Sequence, residues 1–135
     1  MKVIKKIMCF LKNNGFMSHL FKKRDRSCYT VMFFSDKLKH KFIYCIQFDK
    51  SYWDIGVLYR NEKNLSIGFF DRQIYCEKCE DILCDCLKKI YADLSYEAGK
   101  DYYDYDMKEE NEFLNPMEVI NLYAKSHDLV KIHII

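Results

Sequence analysis

The segment Phe42-Ile43-Tyr44-Cys45-Ile46-Gln47-Phe48 is apolar at six of its seven positions. With side chains alternating across a strand, Phe42, Tyr44, Ile46 and Phe48 share one face, and Ile43, Cys45 and Gln47 share the other. A strand that is apolar on both faces belongs in the middle of a sheet, with cover on at least one side. Any fold for this chain has to be built around it.

The surrounding stretch, Cys28 to Phe70, alternates short runs rich in Val, Ile, Phe and Tyr with polar turns. The pattern predicts strands near Tyr29–Phe34, Phe42–Phe48, Asp54–Arg60 and Leu65–Phe70, separated by turns around Asp36–Lys39, Asp49–Ser51 and Asn61–Asn64. Connections this short favour an antiparallel meander. Lys22 to Arg26, interrupted only by Asp25, reads as an exposed connector.

Three segments carry helical periodicity. Val3, Ile4, Ile7, Met8 and Leu11 form one stripe against Lys2, Lys5, Lys6 and Lys12, and Asn13-Asn14-Gly15 supplies a stop. An apolar stripe of about three turns suits packing on the chain's own sheet better than adsorption to a membrane. Cys79, Ile82, Leu83, Cys86, Leu87, Ile90 and Leu94 align on a helix from Lys78 to about Tyr96, with acidic residues in its first turns, as the helix dipole favours. Asn115-Pro116 announces a further helix, with Asn as cap and Met117, Ile120, Tyr123 and Ala124 on the buried side. Leu129 to Ile135 reads as a final strand. The expected fold is therefore α+β: a single domain over residues 1–135, in which an antiparallel four-stranded meander carries an N-terminal helix, two C-terminal helices and a final strand. A chain of 135 residues, half of them hydrophobic, suits one compact core.

Net charge is only +2, but it is unevenly spread. Residues 1–41 carry eleven Lys and Arg against two Asp, a local charge of +9, which leaves −7 on residues 42–135. The acidic character peaks at Asp101-Tyr102-Tyr103-Asp104-Tyr105-Asp106 and continues through Glu109, Glu110 and Glu112, opposed only by Lys108. Unpaired carboxylates resist desolvation, whereas tyrosines offer rigid, flat contact area. Together with Glu97, these ten residues are the candidate surface for a basic protein partner. Carboxylates spaced along a loop can fill the basic cleft of a nuclease, with tyrosines as anchors.

Motifs for chemistry are weak. Cys76-x-x-Cys79 and Cys84-x-Cys86 place four thiols within eleven residues, but Cys79 and Cys86 fit the apolar helical stripe, and one continuous helix cannot aim all four at one ion. His19, His40, His127 and His133 are scattered. With no phosphate loop, nucleophile elbow or paired-His motif, and only four glycines, the expectation is a protein that is not an enzyme and needs no cofactor or metal.

In its whole-chain character, a small α+β domain bearing an acid-and-tyrosine patch and no catalytic motif, the sequence resembles bacterial immunity proteins that neutralise toxins, including those of contact-dependent growth inhibition systems. Some nuclease-colicin immunity proteins are similar in pairing tyrosines with carboxylates at the toxin contact, and Tyr102, Tyr103, Asp104 and Asp106 are the matching residue types here. Those proteins are four-helix bundles and this chain reads as strand-rich, so their fold and residue roles do not transfer. The resemblance implies an inhibitor that binds a basic protein toxin, a nuclease by preference.

The alternative is a small nucleic-acid-binding protein using Lys22, Lys23, Arg24, Arg26, Lys37, Lys39 and Lys41, with Phe21, Tyr29, Phe33 and Phe34 for stacking. Seven cysteines without a disulfide-scaffold spacing, the short apolar run at Ile7–Leu11 and the absence of any long apolar stretch point to a cytoplasmic protein with no membrane partner.

Overall fold

The computed structural model describes residues 2–37, 41–49, 52–62, 64–74, 81 and 112–133. Helix α1 (Lys2–Asn13) leads into strands β1 (Met17–Lys23), β2 (Tyr29–Phe34), β3 (Tyr44–Phe48), β4 (Tyr52–Asn61) and β5 (Asn64–Ile74). Helix α2 (Pro116–Ser126) and strand β6 (Leu129–Ile132) follow.

All six strands form one antiparallel sheet in the order β5-β4-β3-β2-β1-β6. This corrects the expected four-stranded meander. The meander has five strands, because Met17–Lys23 pairs with β2 in the register Leu20↔Val31, and β6 returns to pair with β1 in the register Leu20↔Ile132. Lys22 and Lys23, expected in a connector, are thus strand residues, and the turn begins at Arg24. Among the described elements there is one C-terminal helix, α2; apart from Asp81, which is helical and exposed, the helix expected from Lys78 to about Tyr96 lies outside the described residues.

The sheet is covered on both faces, as the composition of the central strand requires. On one face Ile4, Ile7 and Leu11 of α1 are buried against Leu20, Val31, Phe33, Tyr44, Ile46, Phe48, Trp53, Ile55 and Val57. On the other, Ile120, Tyr123 and Ala124 of α2 are buried with Phe21, Met32, Phe34, Ile43, Cys45 and Leu58. The α1 stripe is therefore spent on the sheet, the packing that its length favoured over membrane adsorption. None of the described helices is long and apolar enough to cross a membrane.

Local chemistry explains the element ends. Gly15, at φ +85°, closes α1 with Phe16 N–H donating to Leu11 O at 3.0 Å and Gly15 N–H donating to Lys12 O at 3.1 Å. That pair of bonds is a Schellman cap, completed by burial of Leu11 and Phe16 in the same cluster. Pro116 occupies the first turn of α2, and the Asn115 amide donates to Glu118 Oε2 at 3.0 Å. A second tight spot lies between β4 and β5, where the register shifts at Ile55/Gly56. A Cβ on Gly56 would overlap the Gly68 carbonyl, so the two strands can approach only over glycine.

Candidate functional site

Of the ten residues expected to meet a basic partner, Glu97, Asp101, Tyr102, Tyr103, Asp104, Tyr105, Asp106, Glu109 and Glu110 lie outside the described residues, and Glu112 lies within them. Glu112 is half-buried and fixed to the frame. Its Oε1 accepts the Lys41 backbone N–H at 2.9 Å, and the next residue, Phe113, donates its own N–H to Lys41 O at 2.8 Å. The Phe113 ring is buried in the α2-side core with the Arg60 guanidinium 4.9 Å from its centroid. Lys41 lies just before β3, so residues 112 and 113 are bonded beside the central strand. The acidic stretch thus ends at a rigid point on the scaffold.

The basic residues of the N-terminal half are placed differently. Lys23 Nζ donates to His127 O at 2.7 Å, and Arg24 Nε pairs with Asp128 Oδ1 at 2.9 Å, a hydrogen bond and charge that raise the Arg24 pKa. Both side chains therefore tie the β1–β2 turn to the α2–β6 turn, where Asp128 takes a positive φ of 55°. Lys39 lies outside the described residues. The aromatics expected beside this block for stacking are mostly inside: Phe21, Phe33 and Phe34 are buried, and only Tyr29 is partly exposed. A nucleic-acid platform needs open rings, and β1 and β2 spend theirs on the two cores.

Among the histidines, His40 lies outside the described residues. His127 stacks on Tyr123 with ring centroids 3.9 Å apart, and its Nδ1 is 3.0 Å from both Ser126 Oγ and Tyr123 O. Ser126 Oγ also donates to Tyr123 O at 3.1 Å. With the hydroxyl hydrogen directed at a carbonyl and the ring packed on a helix end, this is a C-terminal cap and not a nucleophile with its base. No group of three or more His, Cys, Asp or Glu able to hold a metal ion occurs among the described residues. The Cys76, Cys79, Cys84 and Cys86 cluster lies outside them.

A feature missed in the sequence is an open groove of about 550 Å³ between α1 and the start of β1. Helix positions Lys5, Met8, Cys9 and Lys12 line one wall, and residues 16–19 line the other. His19 stacks on Phe34 with centroids 6.4 Å apart; burial, and then the charge of Lys131, lower its pKa. The signal was present in the i, i+3, i+4, i+7 spacing of the four helix residues, which lies beside the buried stripe. It was masked because the lysines read as a solvated face. A search of family models, curated proteins and solved structures finds no match to this chain.

Proposed function

We propose that this protein is an inhibitor of the immunity type, which binds a basic protein partner through the carboxylates and tyrosines between Glu97 and Glu112 and neutralises it, a nuclease toxin being the partner class that such a surface suits best. The observation that carries the reading is the joining of an acid-and-tyrosine stretch, six carboxylates against one lysine over residues 101–112, to a fixed anchor at Glu112 and Phe113. The bonds at Glu112 and Phe113 fix where the stretch joins the scaffold, and clustered negative charge accelerates encounter with a basic cleft.

Two further observations support binding over chemistry. Ser126 and His127 act as a helix cap, and the scaffold's aromatic side chains are largely committed to its two cores. Cys9, Cys28 and Cys45 are free thiols, which fits a reducing cytoplasm as the working compartment.

The test is kinetic. With the co-purifying basic protein immobilised, replacing Asp101, Asp104 and Asp106 together by Asn slows association and flattens its salt dependence without loss of thermal stability. Truncating Tyr103 or Tyr105 to Ala raises dissociation if either ring is a central anchor. Unchanged kinetics in all these variants moves the contact elsewhere.

A further inference from the structure

The groove between α1 and β1 has a chemistry of its own. Lys5 and Lys12 stand two helical turns apart, about 10.5 Å along the axis at 1.5 Å per residue. Both are exposed, and neither has an ion-pair partner among the described residues. No Asp or Glu is among the described residues lining the groove. Between the lysines the surface is apolar: Met8 is half-buried, Phe16 is at the base with 3% exposure, and Met17 keeps 46% of its surface open. Met17 is one of the few large apolar side chains left exposed among the described residues. Methionines adapt to irregular apolar shapes, and lysine stems lie along such surfaces while their ammonium groups stay at the rim. A volume of about 550 Å³ falls within the range of about 300–1,000 Å³ typical of small-molecule sites.

We propose that this groove binds a small anionic amphiphile, a free single-chain carboxylate whose apolar tail lies over Met8, Phe16 and Met17 and whose head group pairs with Lys5 or Lys12. Two cations with no ion-pair partner among the described residues, flanking an apolar floor, are complementary to that ligand, and poorly matched to a cation or a fully polar anion. A bilayer is the less suitable source of the same chemistry, because Ile4, Ile7 and Leu11, the side chains that would insert, are buried against the sheet. Among the described residues the groove is built from α1 and residues 16–19 alone.

Cys9, exposed on the groove wall between the two lysines, serves as a reporter. The full-length protein is titrated with dodecanoate, dodecanol and dodecylamine below their micellar concentrations, and separately with anionic phospholipid vesicles. Binding is followed by calorimetry, and alkylation of Cys9 by peptide mass spectrometry. The expected result is saturable 1:1 binding of dodecanoate that slows Cys9 alkylation, weaker binding of dodecanol and none of dodecylamine. The double variant Lys5→Glu/Lys12→Glu, which replaces attraction by repulsion at both ends of the groove, should bind dodecanoate about tenfold more weakly or worse, tenfold being about 1.4 kcal/mol. Both lysines are exposed, so the variant should fold, which its melting curve verifies. Equal affinity for dodecanoate and dodecanol, indifference to the double variant, binding to vesicles alone, or a Cys9 already shielded in the ligand-free protein would each overturn the proposal, the last by showing the groove filled by the chain itself.

Discussion

Glu112 Oε1 accepts the backbone N–H of Lys41 at 2.9 Å, a bond across 71 residues of sequence that joins the end of the acidic stretch to the approach of the central strand. The bond does two things at once. It satisfies a backbone donor at a point where β3 has not yet begun, and it fixes the direction in which the chain enters α2. The neighbouring Phe113 N–H to Lys41 O bond makes the attachment two-point, with the Phe113 ring as its buried plug.

Glu112→Ala removes a charged acceptor from a half-buried donor and should cost about 1 kcal/mol in chemical denaturation. Phe113→Ala empties a 1%-exposed site and should cost about 3 kcal/mol. If both variants melted like the wild type, the anchor would have no energetic weight.

Gly56 gives a sharper test of the sheet. Because a Cβ there meets the Gly68 carbonyl, which belongs to backbone and cannot rotate away, Gly56→Ala should destabilise by about 2–3 kcal/mol. Gly15→Ala meets no atom but must hold φ near +85°, so its cost should be smaller, about 1 kcal/mol. Reversal of that order in urea unfolding would contradict the packing of β4 on β5.

Trp53 is the sole tryptophan, has no exposed surface, stacks on Phe48 at 6.4 Å, and its indole N–H finds no hydrogen-bond partner among the described residues. Its fluorescence should be blue-shifted relative to free tryptophan and resist quenching by iodide until the protein unfolds. Ready quenching in the native state would place Trp53 outside the α1-side core.

Stability should fall at alkaline pH. Burial pushes both the Cys45 thiol and the Tyr123 phenol well above their ordinary values, so each remains protonated in the fold while its unfolded counterpart ionises. A pKa raised by folding contributes stability that is complete below the unfolded value and is lost as pH climbs through the folded one. The loss should begin above about pH 8.5 for Cys45 and about pH 10 for Tyr123, with a slope of about 1.4 kcal/mol per pH unit for each group. In Cys45→Ala the first of these slopes should vanish. A stability curve flat from pH 8 to 10.5 in the wild type would contradict the burial of both.

How much of this was legible beforehand differs by element. Phe42–Phe48 announced a central strand because apolar residues on both faces have no other economical place, and α1, α2 and the last strand followed from periodicity and from Asn115-Pro116. Strand β1 was hidden because Leu20 and Phe21 are consecutive and point into opposite cores, so neither a period of two nor a helical period emerges, and Lys22 and Lys23 give its end the look of a connector. The return of β6 depends on pairings more than a hundred residues apart, such as Leu20↔Ile132, which no local pattern encodes. The groove escaped notice for a related reason, since it is made by two elements and only one of its walls has a helical signature.

The most direct measurement for the central claim is affinity purification of the tagged protein from its native cells, in parallel with the Asp101→Asn/Asp104→Asn/Asp106→Asn variant, with proteins and nucleic acid identified in both eluates. The account predicts a stoichiometric basic protein that is retained at moderate salt by the wild type and lost or strongly reduced with the variant. Equal recovery of that partner by both proteins, or an eluate containing only RNA or DNA that washes off at moderate salt, would contradict it.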